Sequence, residues 1–216
     1  DVNSFMNSIQ YERKIRFAQL KSSGGDSLNN FHNALLDKPK LIKDLKEYIE
    51  FAISIEYKHF GLDSSTYLAH PLRVATIILQ EYKNLSVPLI GTALLHNVKE
   101  VSEPSFELLQ DFCEPSIVKA INILTVNRKK NYGGYRRNYY DRIYAAESFV
   151  GVVKIFDKLD NLFMLCLNEN ESIRKDYLDE IEKFILPLVI KNVPHLENYF
   201  LELIKDCKKT GYLKLS

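Results

Sequence analysis

Glycine and proline are scarce in this sequence, and no segment shows the alternation of apolar and polar residues that strands require. Gly occurs 8 times and Pro 7 times in 216 residues. Nearly every extended segment instead has apolar residues at positions i, i+3 and i+4, which favours an all-α domain. We predict helices near residues 3–21, 39–58, 66–83, 87–100, 104–113, 115–126, 137–147, 148–168, 171–191 and 194–209.

Long hydrophobic runs and an excess of charge of one sign are also missing. The most apolar stretch, "YLAHPLRVATIIL", contains His70, Pro71 and Arg73, whereas a membrane helix needs roughly 20 apolar residues. Lys and Arg total 29 against 28 Asp and Glu, so the net charge does not favour nucleic acid or anionic membranes as partners. We expect a soluble protein that does not bind membranes.

Cysteine is infrequent too. Cys113, Cys166 and Cys207 have no CxxC spacing, and an odd number of cysteines does not form a disulfide framework. Reduced thiols in a cytoplasmic protein are the simpler interpretation.

The domain organisation is interpreted from one break near the N-terminus. "SSGGDS", residues 22–27, has the composition of a flexible linker. We therefore predict an N-terminal helix and linker over residues 1–27, followed by one domain over residues 28–216. The chain is long enough for that domain to bury a substantial core.

The stretch "ALLHNVKEV", residues 93–101, has the clearest chemical pattern. His96 and Glu100 lie four residues apart, so a helix would place both on one face. An imidazole and a carboxylate in that arrangement are able to bind a metal ion or to transfer a proton.

Three further segments accompany this one: "AHPLRVA" (69–75), "ILTVNRK" (123–129) and "VVKIFDKLDNL" (152–162). Each is weak alone, because a single His on an apolar helix is commonly a packed or surface residue. "DKLDN" is equally typical of a solvated helix face. Their order carries the information: His-Pro, about 25 residues later Leu-His-x-x-x-Glu, and about 60 residues later Lys-x-x-Asp-x-x-x-Asn.

This order resembles the HD superfamily of metal-dependent phosphohydrolases. Within it, the sequence is most similar to the hydrolase domain of RelA/SpoT-type enzymes, which remove the 3′-pyrophosphate from (p)ppGpp. "TYLAHPLRVA" is similar to the family's "PYxxHPxxVA", "ALLHNVKEVS" to "ALLHDVxEDT", and "VVKIFDKLDNL" to "xxKLADRLxNM". The resemblance covers about residues 50–168 and implies an all-α fold, the HD-domain helical bundle.

The resemblance also implies a metal site. His70, His96 and Asp157 match three of the family's four metal-ligand positions, and two imidazoles with a carboxylate suit a divalent ion such as Mn²⁺. Glu100 matches the first acid of a Glu-Asp pair that handles the attacking water.

The implied substrate is a nucleotide phosphate. Asn161 matches a position near the bound nucleotide, and Lys154 and Lys158 are expected near its phosphates. His59, in "KHFG", matches a His that precedes the substrate loop, although a capping or packing His is an alternative interpretation.

Two residues depart from the family pattern. Asn97 stands where the family has the Asp that completes the metal site, and an amide offers one neutral oxygen in place of a charged carboxylate. We therefore expect Mn²⁺ binding to be weak or absent. Val101 stands where the second acid of the Glu-Asp pair belongs, and the segment between His59 and His70 is shorter than the family's substrate loop.

Two explanations for Asn97 stay open: an engineered Asp→Asn change or a natural replacement, and Val101 favours the second. Two functions follow. The chain is a phosphohydrolase acting on a nucleotide (pyro)phosphate with weakened or abolished activity, or it is an inactive pseudoenzyme that binds a nucleotide or a protein partner.

The stretch "NRKKNYGGYRRNYY", residues 127–140, combines basic residues, tyrosines and a Gly pair. We predict a mobile lid or rim, in which Arg136 and Arg137 pair with phosphate, Tyr139 stacks on a base, and Gly133-Gly134 supplies a hinge. The alternative is a solvated turn whose tyrosines pack on the core. One basic segment on a neutral domain is a weak basis for nucleic-acid binding.

Overall fold

The computed structural model describes residues 8–20, 25–57, 64–130 and 133–215, and within these ranges the chain forms helices and turns without a strand. The predicted all-α class is therefore confirmed. The α-helices are α1 (Ile9–Leu20), α2 (Gly25–Leu35), α3 (Pro39–Ser54), α4 (Ser64–Glu81), α5 (Val87–Leu95), α6 (Val98–Val101), α7 (Glu103–Leu109), α8 (Pro115–Leu124), α9 (Tyr135–Ala145), α10 (Ser148–Met164), α11 (Glu171–Glu180), α12 (Leu186–Asn192) and α13 (Glu197–Thr210). A π-helix, Ile181–Ile185, joins α11 to α12, and 3₁₀ turns occupy Leu165–Leu167 and Pro194–Leu196.

Helix α10 forms the centre of the bundle. Its sequence is apolar on nearly every side, and 12 of its 17 residues are buried, so it has almost no solvated face. It contacts α1, α4, α5, α8, α9, α12 and α13. Lys154, Asp157 and Asp160 on α10 lie inside the protein, where they need partners.

Helix α2 was not predicted. Its sequence, "GDSLNNFHNAL", is rich in residues of low helix propensity. The helix buries Phe31 and Leu35 and packs against α4, which shows that tertiary packing stabilises it. Of the predicted break at 22–27, residues 25–27 begin this helix, and residues 21–24 lie outside the described residues.

The predicted helix over 87–100 is two helices. Helix α5 begins after Ser86, whose Oγ accepts a hydrogen bond from the Leu89 N–H at 3.2 Å, and it ends at Leu95. The chain turns at His96 and Asn97 before α6. The carbonyl of Asn97 accepts hydrogen bonds from the N–H groups of Glu100 and Val101, so Asn97 lies at a helix junction.

Among the described residues, none of the helices combines the length and hydropathy that crossing a membrane requires. Cys113, Cys166 and Cys207 are all free and buried.

Candidate functional site

The structure brings His70, His96 and Asp157 together from α4, the end of α5 and α10. One ligand atom from each lies within 4.8 Å of the others, and the two imidazole ring centroids are 5.4 Å apart. Asp157 Oδ1 lies 3.0 Å from His70 Nε2 and 3.6 Å from His96 Nε2. These side chains form a compact set of nitrogen and oxygen donors.

His96 is oriented as a metal ligand would be. Its Nδ1 donates a hydrogen bond to the carbonyl of Ala93 at 2.7 Å, which leaves the lone pair of the neutral ring on Nε2. That Nε2 is buried, and none of the described residues gives it a hydrogen bond. A buried acceptor without a partner costs free energy, so the residues present fit a cation at this point.

His70 lies between two carboxylates. Its Nδ1 is 2.8 Å from Asp160 Oδ2, and its Nε2 faces Asp157. Burial lowers the pKa of His70, but the hydrogen bonds to Asp157 and Asp160 outweigh it and raise the pKa to about 9. A bound divalent ion would have to displace the proton on Nε2.

Neighbouring residues balance the negative charge of Asp157. Lys154 Nζ lies 3.0 Å from its Oδ2, and the amide of Asn161 donates to its Oδ1 at 3.2 Å. Burial raises the pKa of Asp157, but Lys154 and His70 outweigh burial and hold it well below its usual range. The carboxylate is therefore ionised and available to a cation.

These residues line a cavity of about 380 Å³. Asn97, Glu100, Lys154, Lys158 and Asn161, all predicted from the sequence, line it together with the two histidines and Asp157. Basic side chains outnumber acidic ones in its wall, because Arg73 and Arg128 also line it. Such a wall favours an anionic ligand.

Asn97 and Glu100 both have protein partners. A side-chain hydrogen bond links Asn97 to the hydroxyl of Tyr67, whose pKa burial raises to about 12. Glu100 Oε1 accepts from the backbone N–H of Val126 at 2.8 Å, and its Oε2 is 3.8 Å from Arg128 Nη2. Glu100 thus anchors the chain that follows α8 while facing the cavity.

Val101 supplies no acid–base group at the end of α6. Its side chain is 7% exposed and belongs to the apolar core. A carboxylate at this position would be buried among apolar residues, which raises its pKa and its desolvation cost.

Arg136, Arg137 and Tyr139 do not line the 380 Å³ cavity. They line an adjoining cavity of about 950 Å³. The two cavities have Val126, Arg128, Lys154, Lys158 and Tyr177 in common. The described residues of the basic segment, 127–130 and 133–140, thus lie beside the His70–His96–Asp157 site.

Three described side chains of this segment, those of Arg136, Arg137 and Tyr139, contact other parts of the protein. Arg136 forms two hydrogen bonds with the exposed carboxylate of Asp176, at 3.1 and 2.9 Å, and Arg137 lies over the ring of Phe184 at 5.7 Å. Tyr139 is 3% exposed and its hydroxyl donates to the carbonyl of Leu124. Its contacts are those of a core residue.

Gly134 has a backbone role at the start of α9. Its φ is 91°, a left-handed conformation that glycine adopts without a steric cost. Residues 131–132 lie outside the described residues, and so does His59.

Asp160 was not predicted as a site residue, although it lies in the segment "DKLDN". It is fully buried behind His70 and pairs with Arg16 and Arg73. Asp160 lies three residues after Asp157, so a helix places the two on neighbouring positions of one face, and this spacing could have indicated a shared site. The same spacing is equally typical of a solvated helix face.

No family model matches the sequence. A zebrafish (Danio rerio) protein, guanosine-3′,5′-bis(diphosphate) 3′-pyrophosphohydrolase MESH1, is 26% identical over 105 residues, which are 49% of this chain and 58% of that protein. The match therefore spans less than two thirds of MESH1. A solved structure of a metazoan ortholog of SpoT, described as hydrolysing ppGpp with a role in starvation responses, superposes with a TM-score of 0.60. That match is 21% identical and covers 81% of this chain and 97% of the other.

The chain shares the fold of that solved structure, the all-α bundle that the resemblance to the HD superfamily implied. The predicted fold is therefore confirmed. In this fold the His70–His96–Asp157 cluster lies where α4, the α5–α6 junction and α10 meet.

Proposed function

We propose that this HD domain is a metal-dependent phosphohydrolase that acts on a nucleotide (pyro)phosphate of the (p)ppGpp type, with activity weakened by Asn97 and Val101. The observation that supports it most is the convergence of His70, His96 and Asp157 within 4.8 Å. The buried Nε2 of His96 lies 3.6 Å from Asp157 Oδ1 and has no hydrogen bond among the described residues, which supports a cation within that cluster.

His70, His96 and Asp157 would hold the ion, and Mn²⁺ suits their nitrogen and oxygen donors. A divalent ion held there would supply Lewis-acid chemistry, polarising a phosphoryl oxygen and lowering the pKa of water. Glu100 would orient the attacking water through its Oε2, since Oε1 is already bonded to Val126. Asn97 supplies no negative charge, so only Asp157 contributes an anionic ligand to the dication.

The parts of the substrate that do not contact the ion would be bound by protein side chains. The volume of 380 Å³ is near the lower end of the range for ligand pockets, which is about 300–1,000 Å³. The adjoining cavity of about 950 Å³ extends it. Lys154, Lys158 and Arg128 line both cavities and would pair with phosphate oxygens at the junction.

A second function, an inactive domain that binds a nucleotide or a protein partner, is favoured by a different observation. Lys154 neutralises Asp157 at 3.0 Å, and Tyr67 bonds the side chain of Asn97. Much of the site is thus satisfied by its own residues, so the cavity is able to persist without an ion. A cytoplasmic location is proposed for either function, in keeping with the free cysteines.

Thermal unfolding with nucleotides, each with and without Mn²⁺, separates the two functions. For the hydrolase we expect (p)ppGpp to raise the unfolding temperature more with Mn²⁺ than without it, accompanied by slow pyrophosphate release. A ligand at 100 times its Kd adds about 2.7 kcal/mol. Guanosine, which has no phosphate, is the control. Equal stabilisation with and without Mn²⁺ and no release would favour the inactive domain. No stabilisation by any nucleotide would contradict the hydrolase and would leave only the inactive domain that binds a protein partner.

The role of the basic segment is tested by replacing Arg136 and Arg137 together with Ala. We expect nucleotide affinity to fall about tenfold, because hydrogen bonds to charged groups contribute about 1.5–3 kcal/mol each and Arg136 must first leave Asp176. Arg142→Ala is the control, since Arg142 is on α9 but lines a different pocket. Unchanged affinity in the double variant would leave the segment as a surface turn.

A further inference from the structure

Asp160 has an unusually complete set of donors. Its Oδ1 accepts from Arg16 Nε at 2.8 Å and Arg73 Nε at 3.0 Å, and its Oδ2 accepts from Arg73 Nη2 at 2.9 Å. The fourth donor is His70 Nδ1, at 2.8 Å from Oδ2. A carboxylate has about four lone-pair sites, so all of them are used and the orientation of the group is fixed.

The fixed carboxylate in turn fixes His70. Because Asp160 accepts the Nδ1 proton, the ring holds its Nε2 towards Asp157 and the cluster with His96. Partners of this kind set the tautomer and ring orientation of metal-binding histidines. The side chain of Asp160 has no exposure to water, so solvent does not compete for these bonds.

We infer that Asp160 is a positioning residue for His70 and that Arg16, on the N-terminal helix α1, holds Asp160 in place. Helix α1 then contributes to the site, because its Arg16 orients Asp160. The consequence for metal binding rests on the proposed function, whereas the orientation of His70 is a property of the metal-free protein.

Arg16 is bound tightly enough to act in this way. Its Nη1 pairs with Glu12 at 2.9 Å, and its guanidinium lies over the ring of Phe163 at 4.2 Å. The side chain is 3% exposed. Its Nε therefore has little freedom and points at Asp160.

Helix α1 also offers a matched control. Arg13, about one turn earlier, is equally buried and bonds the carbonyl of Phe163 at 3.1 Å and Asp206 at 2.7 Å. Asp160 takes no hydrogen bond from Arg13 in the described contacts. Losing Arg13 removes an arginine that docks α1, while losing Arg16 also removes a donor to Asp160.

The experiment compares Arg16→Met with Arg13→Met. In the metal-free proteins, ¹⁵N NMR would follow the hydrogen-bonded Nδ1–H of His70, assigned by its loss in His70→Gln. We expect Arg16→Met to shift or broaden this signal and to weaken Mn²⁺ binding about tenfold. Arg13→Met should keep the signal and bind Mn²⁺ within about twofold of the unchanged protein.

Arg16→Lys is a second variant in case Arg16→Met does not fold, because lysine keeps the positive charge but has one donor group. We expect it to shift the His70 Nδ1–H signal by an intermediate amount. An unchanged His70 signal in the Arg16 variants would overturn the inference, and so would the same change in Arg13→Met. If the unchanged protein binds no Mn²⁺, the proposed function fails, but the NMR comparison still decides the role of Asp160 and Arg16.

Discussion

Asp160→Asn should lower the free energy of unfolding by about 3–5 kcal/mol, because removing one partner of a buried ion pair leaves the others unpaired. The carboxylate is fully buried between Arg16, Arg73 and His70. Burial raises the pKa of Asp160, but Arg73 and Arg16 outweigh it and hold the pKa well below its usual range. An amide of the same size would keep the shape and lose the charge that both arginines need.

Urea unfolding followed by far-UV circular dichroism measures this loss, and for a chain of this length it corresponds to a fall in Tm of about 10 °C. Asp176→Asn is the control, since Asp176 pairs with Arg136 at the surface. Exposed pairs contribute about 0–1 kcal/mol. Equal losses in the two variants would contradict the assignment of a buried charge cluster at Asp160.

Asn97→Asp should raise Mn²⁺ affinity by at least about tenfold. The substitution adds an anionic oxygen beside His70 and His96 without changing side-chain volume, and even partners of metal ligands alter affinity by about 10–100-fold. Turnover should rise less, because Val101 still provides no second acid, and general acid–base assistance is typically worth about 10²–10⁴ in rate.

Calorimetric titration with Mn²⁺, together with pyrophosphate release from (p)ppGpp, measures both effects. Asn122→Asp is the matched control: it adds the same charge on the exposed face of α8, where Asn122 accepts a hydrogen bond from Lys99 at 2.7 Å. We expect it to leave Mn²⁺ affinity within about twofold. An equal rise in Mn²⁺ affinity in both variants would mean that the added negative charge acts at long range and that residue 97 does not bind the ion directly.

Much of the fold was predictable because helices leave a local signal. The 3.6-residue periodicity predicted the long helices. The order of the motifs predicted that His70, His96 and Asp157 form one cluster. Helix α2 was missed because its own sequence favours turns, and packing against α4 decides its conformation. The turn at His96 and Asn97 was missed because apolar periodicity continues across it.

The charged surroundings of the site were not predictable by the same means. Arg16 and Asp160 are 144 residues apart and Arg73 and Asp160 are 87 apart, and no local pattern specifies such pairs. A charged residue on an amphipathic helix is ordinarily solvated. Asp160 is buried because α10 packs against other helices on nearly all sides, and its buried carboxylate pairs with two arginines.

Anomalous diffraction at the manganese edge, from crystals of the Asn97→Asp protein grown with Mn²⁺, tests the metal site most directly. We expect one strong peak about 2 Å from the Nε2 atoms of His70 and His96 and from a carboxylate oxygen of Asp157, with Lys154 displaced from that oxygen. A peak elsewhere, or no peak at saturating Mn²⁺ with the Lys154–Asp157 pair intact, would contradict this expectation.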